Sequence, residues 1–522
     1  MEALRPDYLT YLREIRAVMR GVDAELQSAK ARDDLANAER MLCVMQAEIA
    51  YLADNQAQME ARLDQSIAMI TPLLDRPVLA ELRDGLAAVD GKAWTNPGAR
   101  LGELRRLFQS AMKPLGALAD AGVAEADTVF ANLLRHETEL FRGVVEHRRA
   151  FEVAPDAPVA SGSAPAASPA PARQAVTAAA MQAYLRETFP EEAGVEVVEM
   201  HNVPGGRSKE TTMFTLAGTH SLPAKIVTRA DIPGGLVPSK ATDEFEIIKI
   251  ADRYGVPVPK PIHSESDASK LGQTFILVSA VEGRTEGEYF ADFKNRVTHP
   301  RAVGQQLAGI LAKIHSIPLS ELSTTHLDPG ADLLGLVTDT IETTYEQARS
   351  FDFPARVHIE SAYRWLKKNM HLAVDTPCMI HCDIGLHNML IKDGRITAVL
   401  DWELATIASP AREIAKIFHL IDALMPRQDF LDAYRAAGGP ANALDPDRMN
   451  FYAVMNYMVT NQRSRFANEL FMTGKVPGIV LGHAGYENVY RVTTLLSNML
   501  QPVYPEAYGP AGAAPAAQKE SV

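Results

Sequence analysis

The chain has 522 residues, 47% of them hydrophobic and 22% charged, which is enough for two or three domains with ordinary cores. A net charge of −13 argues against a general nucleic-acid-binding face, and no run of about 18 apolar residues could cross a membrane. The first residues lack the basic start and apolar stretch of a secretory signal, and only three cysteines occur. We expect a cytoplasmic protein that binds neither nucleic acid nor a membrane.

Residues 1–150 carry the apolar periodicity of helices. One stripe recurs at steps of three, four or seven residues; it consists of Leu42, Met45, Ile49, Leu52, Met59, Leu63, Ile67 and Ile70. Pro72 ends this stretch, and apolar residues at 101–107 and 133–145 indicate further amphipathic helices. We expect an all-α domain whose stripes form either a core or an oligomerisation surface. A homo-oligomer through this domain is therefore a candidate assembly.

A segment of small residues follows the helical region. Residues 153–173 contain almost only Ala, Pro, Ser, Gly and Val, which bury too little side chain to offset the entropy of ordering. We expect a linker over residues 151–176. The composition of residues 506–522 predicts a disordered tail for the same reason.

The chain after the linker changes from short β patterns to long helical ones. Runs typical of strands occur at residues 195–199, 211–216, 224–228 and 274–278, with a helix predicted over residues 243–252. From about residue 299 helical patterns dominate. We expect an α+β fold with a β-rich small lobe (residues 177–285) and a helical large lobe (residues 286–505). This layout is the one expected of a nucleotide clamp.

One hairpin interrupts the helical part. Asp393-Gly394 lies between two β-patterned runs and predicts a two-residue type I′ turn. With regular pairing, Asn388 faces Val399, so Asp401 points to the same side as Asn388. Such diagonal neighbours are roughly 7–8 Å apart, a separation that two oxygen ligands of one ion can bridge. Asn388 and Asp401 are therefore candidate Mg²⁺ ligands.

A third oxygen group precedes the hairpin. Asp383 lies five residues before Asn388, where its carboxylate could accept a hydrogen bond from a hydroxyl and orient it for in-line attack. His381, at the end of an apolar run, is better suited to brace the loop than to react. We therefore take the segment from His381 to Glu403 as the candidate catalytic centre.

This segment carries a family resemblance. The loop His381-Cys-Asp-Ile-Gly-Leu-His-Asn388 resembles the H-x-D-x-x-x-x-N loop of protein kinases, aminoglycoside phosphotransferases and choline kinases. Leu400-Asp-Trp-Glu403 is similar to the metal-binding segment of the last two families. The resemblance implies a protein-kinase-like fold, with Asp383 as the catalytic base and with Asn388 and Asp401 as Mg²⁺ ligands.

The resemblance is not complete. Cys382 stands where Gly is usual after the His, residues 408–410 replace a frequent Gly-Asp-Pro, and Glu413 occupies the place of a later Asp. None of these departures removes a group that would contact metal or phosphate.

The small lobe resembles the same family. Gly205, Gly206, Arg207 and Ser208 lie between two predicted strands, as a phosphate-covering glycine loop would, because missing side chains let backbone N–H groups approach phosphate. An ordinary hairpin turn is the alternative for these four residues.

The family's next element is a basic residue on the following strand, paired with an acid on the neighbouring helix. The stretch that contains Arg229 and Glu244 resembles an acyl-CoA-dehydrogenase-associated branch in which Arg serves at this place. We favour Arg229 with Glu244 as the phosphate grip, and Lys225 is the alternative. Residues 275–283, which include Val278, resemble the strand and hinge whose backbone would meet the nucleotide base.

Together these features predict a Mg²⁺-dependent phosphotransferase that moves the γ-phosphate of ATP or GTP to a hydroxyl of a small-molecule acceptor. A hydroxyacyl-CoA is the preferred acceptor, and an aminoglycoside or another amino alcohol is the alternative. A non-catalytic nucleotide-binding scaffold is a second class of function. Transfer to protein side chains is disfavoured, because Pro410 and a helical pattern follow Asp401 within about ten residues, too soon for an extended activation loop.

Overall fold

A computed structural model describes most of the chain between residues 61 and 500. The described residues are 61, 63–93, 97–152, 176–203, 209–231, 240–286, 297–350, 356–472 and 479–500. The predicted glycine loop, most of the predicted linker and the predicted tail lie outside them. No helix among the described residues is long and apolar enough to cross a membrane.

Helices make up most of the described residues. In chain order they are α1 (Ala80–Asp90), α2 (Pro97–Asp120), α3 (Ala124–Glu152), α4 (Ala178–Thr188), α5 (Ala241–Arg253), α6 (Pro300–His315), α7 (Leu333–Ser350), α8 (Arg356–Lys368), α9 (Pro410–Lys416), α10 (Phe418–Leu424), α11 (Arg427–Ala436), α12 (Pro446–Met472) and α13 (Ile479–Leu500). A further helical stretch covers residues 63–70 and ends in the 3₁₀ turn Thr71–Leu73, which contains Pro72 as predicted.

The strands occur in the middle and later parts of the chain. They are β1 (Glu196–Val203), β2 (Lys209–Ala217), β3 (Lys225–Asp231), β4 (Pro261–Glu265), β5 (Phe275–Ser279), β6 (Cys378–Ile380), β7 (Met389–Lys392), β8 (Arg395–Val399) and β9 (Thr406–Ala408). They form a five-stranded antiparallel sheet and two two-stranded ladders.

The chain divides into two compact units. One combines residues 1–167, 337–371 and 453–522, and the other combines residues 168–336 and 372–452. The first unit is helical throughout its described residues. Helices α1, α2 and α3 pack in sequence, and α8 packs against α2, α3 and α13. The unit thus joins N-terminal helices to helices that the sequence places in the large lobe, and the predicted domain boundaries stay a prediction.

A buried polar network links three helices of the first unit. The imidazole of His358 (α8), which is fully buried, contacts the Glu137 carboxylate (α3) through Nδ1. Its Nε2 lies 3.1 Å from the hydroxyl of Thr138, to which the Ser497 hydroxyl (α13) donates at 3.1 Å. Buried polar groups are costly unless they are paired, so this network ties the three helices together.

The five-stranded sheet is the core of the small lobe in the second unit. Its strand order is β1-β2-β3-β5-β4. Helix α4 packs Met181, Tyr184 and Leu185 against apolar side chains of the sheet, including Phe214 and Phe275. Four of the strands confirm the predicted β runs. The edge strand β4 was not predicted, because it begins with a proline and its residues are only half-buried, which leaves no alternating pattern.

The predicted hairpin is present as β7 and β8. Asp393 and Gly394 have φ angles of 52° and 73°, as a type I′ turn requires, and Lys392 is opposite Arg395. The sequence therefore identified the turn and the first residue pair correctly.

The predicted pairing at the far end of the hairpin is wrong. Beyond Ile391 the register shifts by one residue, so Met389, not Asn388, faces Val399. Thr397 is the extra residue of this bulge, and its hydroxyl donates to the Glu282 carbonyl at 2.6 Å. Regular alternation therefore does not place Asn388 and Asp401 on one face.

Two short strands frame the loop before the hairpin. β6 pairs with β9, and the Cys378–Ile380 strand is completely buried. Strands of three residues carry no usable periodicity, so neither was predicted. Helix α9 follows β9 directly. Ser409 caps it by accepting a hydrogen bond from the Ala411 N–H at 3.2 Å, with Pro410 at its first turn.

Candidate active site

The candidate catalytic loop runs from the end of β6 to the start of β7. Asp383 and Asn388, which the sequence placed in one site, are in direct contact. The Asn388 side-chain amide donates to the Asp383 backbone carbonyl and to its carboxylate Oδ2, both at 2.9 Å. The amide therefore fixes the position of the Asp383 carboxylate.

The Asp383 carboxylate lies among basic groups. The Lys416 ammonium is 3.4 Å from Oδ1, and His387 Nε2 is 3.7 Å from Oδ2. Burial raises the pKa of Asp383, but the nearby His387 ring and the charge of Lys416 lower this pKa by more, to well below its usual range. Asp383 is thus ionised at neutral pH and can accept a hydroxyl's hydrogen bond.

His381 braces the loop, as expected from the sequence. Its Nε2 lies 2.9 Å from the carbonyl of Leu400, and its Nδ1 accepts from the Asp383 backbone N–H at 3.2 Å. With these partners Nε2 acts as the donor and Nδ1 as the acceptor. Both ring nitrogens are therefore used in holding the loop, and the ring packs 4.6 Å from that of Trp402.

Glu413 supports the same loop through hydrogen bonds to its backbone. Its carboxylate accepts from the backbone N–H groups of His381 at 3.2 Å and Cys382 at 2.6 Å. His315 Nε2 lies 2.9 Å away and Tyr434 contacts the other nitrogen of His315, so His315 is satisfied in the core as expected. Burial raises the pKa of Glu413, but the His315 hydrogen bond and the nearby charges lower it on balance.

Cys382 has a left-handed backbone conformation, with φ of 67°. Glycine adopts this conformation without steric cost, whereas a residue with a side chain does not. The strain at this position gives a physical reason for the glycine that is usual there. The cysteine is held in place because its backbone N–H donates to the Glu413 carboxylate and its carbonyl accepts from the Lys416 ammonium.

Arg229 connects the small lobe to the hairpin segment. Its guanidinium lies 3.3 Å from both carboxylate oxygens of Glu244 and 2.7 Å from Asp401 Oδ1. Glu244 in turn accepts from the Trp402 backbone N–H at 3.1 Å. Burial lowers the pKa of Arg229, but the carboxylates of Glu244 and Asp401 raise this pKa by more than burial lowers it. The guanidinium therefore stays charged. The structure thus brings three predicted site residues into one chain of contacts.

The other predicted nucleotide contacts differ in their placement. Lys225 is the exposed first residue of β3. It lies four residues before Arg229 and therefore on the same face of the strand. Val278 lies within the sheet ladder, opposite Val227 on one side and Pro261 on the other, and is buried.

The oxygen groups suit a hard divalent cation. The Asn388 amide uses its nitrogen on Asp383, so its oxygen, on a buried side chain, is left with no hydrogen-bond donor among the described residues. Asp401 is 30% exposed and has one carboxylate oxygen bonded to Arg229. One or two carboxylate or amide oxygens plus substrate phosphates are the usual set for Mg²⁺. In the described part of the chain no cluster of three or more His, Cys, Asp or Glu side chains could hold a metal alone.

Two basic residues at this site had not been identified from the sequence. Lys416 is 33 positions from Asp383 along the chain, and nothing in the local pattern of α9 distinguishes it from a solvent-exposed lysine. Lys209 is nearly fully buried at the start of β2 and lies 2.8 Å from Asp231 and 4.0 Å from Glu403. The position of Lys209 directly after the predicted glycine loop was the one feature of the sequence that could have identified it.

Part of the chain is similar to known proteins. A model of the phosphotransferase enzyme family matches residues 199–452. Acyl-CoA dehydrogenase family member 11 from Rattus norvegicus is 29% identical over 248 residues, which are 45% of this chain and 30% of that protein. The Homo sapiens protein of the same name is 32% identical over 196 residues, or 36% of this chain and 24% of that protein. The matches thus span less than a third of either relative's length.

A solved structure provides the fold comparison. A protein from Ralstonia eutropha JMP134, described as a proposed aminoglycoside phosphotransferase, has a TM-score of 0.50 and 17% identity, covering 62% of this chain and 98% of its own. This similarity, together with the sheet and helices above, confirms the predicted α+β kinase-like fold that follows an N-terminal helical region.

Proposed function

We propose that the protein transfers the γ-phosphate of ATP or GTP to a hydroxyl of a small molecule, since residues 199–452 belong to the phosphotransferase enzyme family. The observation that carries the proposal is the contact of Asn388 with Asp383, next to the chain of contacts from Glu244 through Arg229 to Asp401. A base, a cation site and a basic grip are the parts that phosphoryl transfer requires.

Asp383 is the proposed base. Its carboxylate accepts the hydrogen bond of the acceptor hydroxyl, orients the hydroxyl oxygen toward the γ-phosphorus, and takes the proton as the new bond forms. The hydrogen bonds from Asn388, and the brace of His381 and Glu413, keep this carboxylate in position without substrate. Because the carboxylate is already in place when the acceptor binds, positioning supplies much of the rate enhancement.

Asn388 and Asp401 are the proposed holders of Mg²⁺. A bound Mg²⁺ would neutralise phosphate charge and orient the phosphate oxygens. Arg229 holds Asp401 at 2.7 Å and so keeps its carboxylate oriented. Its guanidinium is the proposed contact of the α- and β-phosphates, and its place between two carboxylates of the site is the basis for preferring Arg229 over the exposed Lys225 as the grip.

The nucleotide is proposed to lie beneath the small-lobe sheet. Gly205, Gly206, Arg207 and Ser208 keep their predicted role as the phosphate cover. Val278 is still predicted to belong to the strand that lies next to the nucleotide base. Its backbone belongs to the ladder and β5 ends one residue later, at Ser279, so we expect base contacts from the segment that follows the strand.

The acceptor is proposed to be a hydroxyacyl-CoA. Support comes from the relatives, whose name places them among acyl-CoA dehydrogenase family members. The description of the Ralstonia eutropha protein keeps aminoglycosides as the alternative acceptor.

An assay that identifies the phosphorylated product distinguishes the two classes of acceptor. Purified protein with Mg²⁺ and ATP is given a panel of hydroxyacyl-CoA thioesters and a panel of aminoglycosides, and phosphorylated products are identified by mass. We expect products from the thioester panel alone. Efficient phosphorylation of aminoglycosides with no thioester product would reverse the assignment.

A further inference from the structure

Lys416 approaches the proposed base from a different element. It is the last residue of α9, and its side chain is 27% exposed. Its ammonium group donates to the Cys382 backbone carbonyl and lies 3.4 Å from Asp383 Oδ1. No residue of the family motif that we identified in the sequence supplies a cation at this place.

The two oxygens of the Asp383 carboxylate are not equivalent. Oδ2 accepts the Asn388 amide at 2.9 Å and lies 3.7 Å from His387 Nε2. Oδ1 has one contact among the described residues, the long one to Lys416. An acceptor hydroxyl therefore has more room to donate to Oδ1 than to Oδ2, and this brings its oxygen next to the Lys416 ammonium.

We propose that Lys416 is a further catalytic residue, whose ammonium contacts the attacking oxygen and the transferring phosphoryl group. The inference rests on the proposed phosphoryl transfer. In this step the hydroxyl oxygen bonds to the γ-phosphorus, the bond from that phosphorus to the β-phosphate oxygen breaks, the proton passes to Asp383, and the nucleoside diphosphate leaves. A fixed cation next to the developing charge stabilises the transition state more than the ground state.

A purely positional role is the competing explanation, because Lys416 also holds the Cys382 carbonyl. The two roles differ in what they do to ligand affinity. Loss of loop positioning affects all ligands of the site alike, whereas loss of a contact to the phosphoryl group affects only ligands that fill that position.

The test compares Lys416→Met with the full-length wild type by calorimetry. The ligands are ADP with Mg²⁺, and the same mixture with aluminium fluoride, which mimics the transferring phosphoryl group. We expect Lys416→Met to bind ADP like the wild type but to lose about 100-fold in affinity for ADP with aluminium fluoride. Lys416→Arg keeps the charge and should recover part of this loss.

Lys313→Met is the matched control. Lys313 is an exposed lysine whose ammonium also donates to a backbone carbonyl, that of Gly255 at 2.9 Å. It should bind both ligands like the wild type.

The outcomes separate the inference from the proposed function. Equal losses for both ligands, or no loss for either, would overturn the role of Lys416. If the wild type gains no affinity from aluminium fluoride, the proposed phosphoryl transfer itself is contradicted. A wild type that gains affinity, with a Lys416→Met variant that gains as much, leaves phosphoryl transfer in place and removes Lys416 alone.

Discussion

The backbone at Cys382 is held in a conformation that costs energy for any residue with a Cβ. Its φ of 67° carries a penalty on the order of 1 kcal/mol relative to glycine. We expect Cys382→Gly to raise the free energy of unfolding by about 0.5–1 kcal/mol, measured by urea denaturation. Cys382→Ala is the control, because it removes the thiol and keeps the Cβ. An equal gain in Cys382→Ala would mean that the thiol, not the backbone, is responsible.

Arg229 and Lys225 stand on the same face of β3 but have different surroundings. Arg229 lies between the carboxylates of Glu244 and Asp401, while Lys225 is exposed. We expect Arg229→Lys to raise the KM for ATP at least about tenfold, because an ammonium cannot bridge both carboxylates as the planar guanidinium does. Lys225→Met should leave the KM unchanged. The reverse pattern in initial-rate kinetics would make Lys225 the phosphate grip.

Residues of the site differ in how visible they are in the sequence. Asp383, Asn388 and Asp401 fall within a compact motif, so its resemblance to a known family was enough to propose them, although the regular pairing predicted for Asn388 is wrong. Lys416 comes from another element, and only folding brings it within 3.4 Å of Asp383. No local pattern carries that information.

The hairpin shows the same limit at the scale of an element. Turn chemistry at Asp393-Gly394 predicts the turn and its first pair, because the conformation is local. The bulge at Thr397 depends on the Glu282 carbonyl, more than a hundred residues earlier in the chain. Likewise, β6 and β9 are strands only because they pair with each other, since three residues alone specify no strand.

Glu413 anchors the candidate catalytic loop to α9. Glu413→Gln places an amide donor where the carboxylate accepted backbone N–H groups of His381 and Cys382. We expect a loss of about 2–3 kcal/mol in the free energy of unfolding at pH 7, measured by urea denaturation. Asp429→Gln, on the exposed part of α11, is a control that should cost little.

The same variant gives a pH dependence with a defined sign. The pKa of Glu413 is lowered in the folded state, so its contribution is fully present above the ordinary carboxyl pKa of about 4.3 and is lost as the pH falls below it. The difference between wild type and Glu413→Gln should therefore shrink as the pH is lowered from 5 toward about 3. A difference that grows on acidification would contradict the lowered pKa.

For the whole molecule, the division into units is the feature that the sequence did not reveal. Composition located a segment of small residues and suggested an independent helical domain before it. The first unit combines α1, α2 and α3 with helices from two later parts of the chain. Contacts between segments hundreds of residues apart leave no mark on local composition.

The buried network of the first unit provides a test of this packing. Glu137→Gln removes the carboxylate that accepts from the His358 backbone and contacts its ring. We expect a loss of about 2–3 kcal/mol in the free energy of unfolding, followed by circular dichroism during denaturation. Glu139→Gln, an exposed position on the same helix, should be neutral within about 0.5 kcal/mol. Equal effects of the two variants would show that the network contributes nothing to stability.

The central claim is that the protein transfers a phosphoryl group to a small molecule through Asp383. Its most direct test incubates wild type and Asp383→Ala with ATP, Mg²⁺ and a metabolite library, and identifies products whose mass has increased by one phosphoryl group. We predict a phosphorylated hydroxyl compound from the wild type, and at least about 100-fold less of it from Asp383→Ala, with nucleotide binding largely retained. The absence of any product from the wild type, or near wild-type turnover by Asp383→Ala, would contradict the claim.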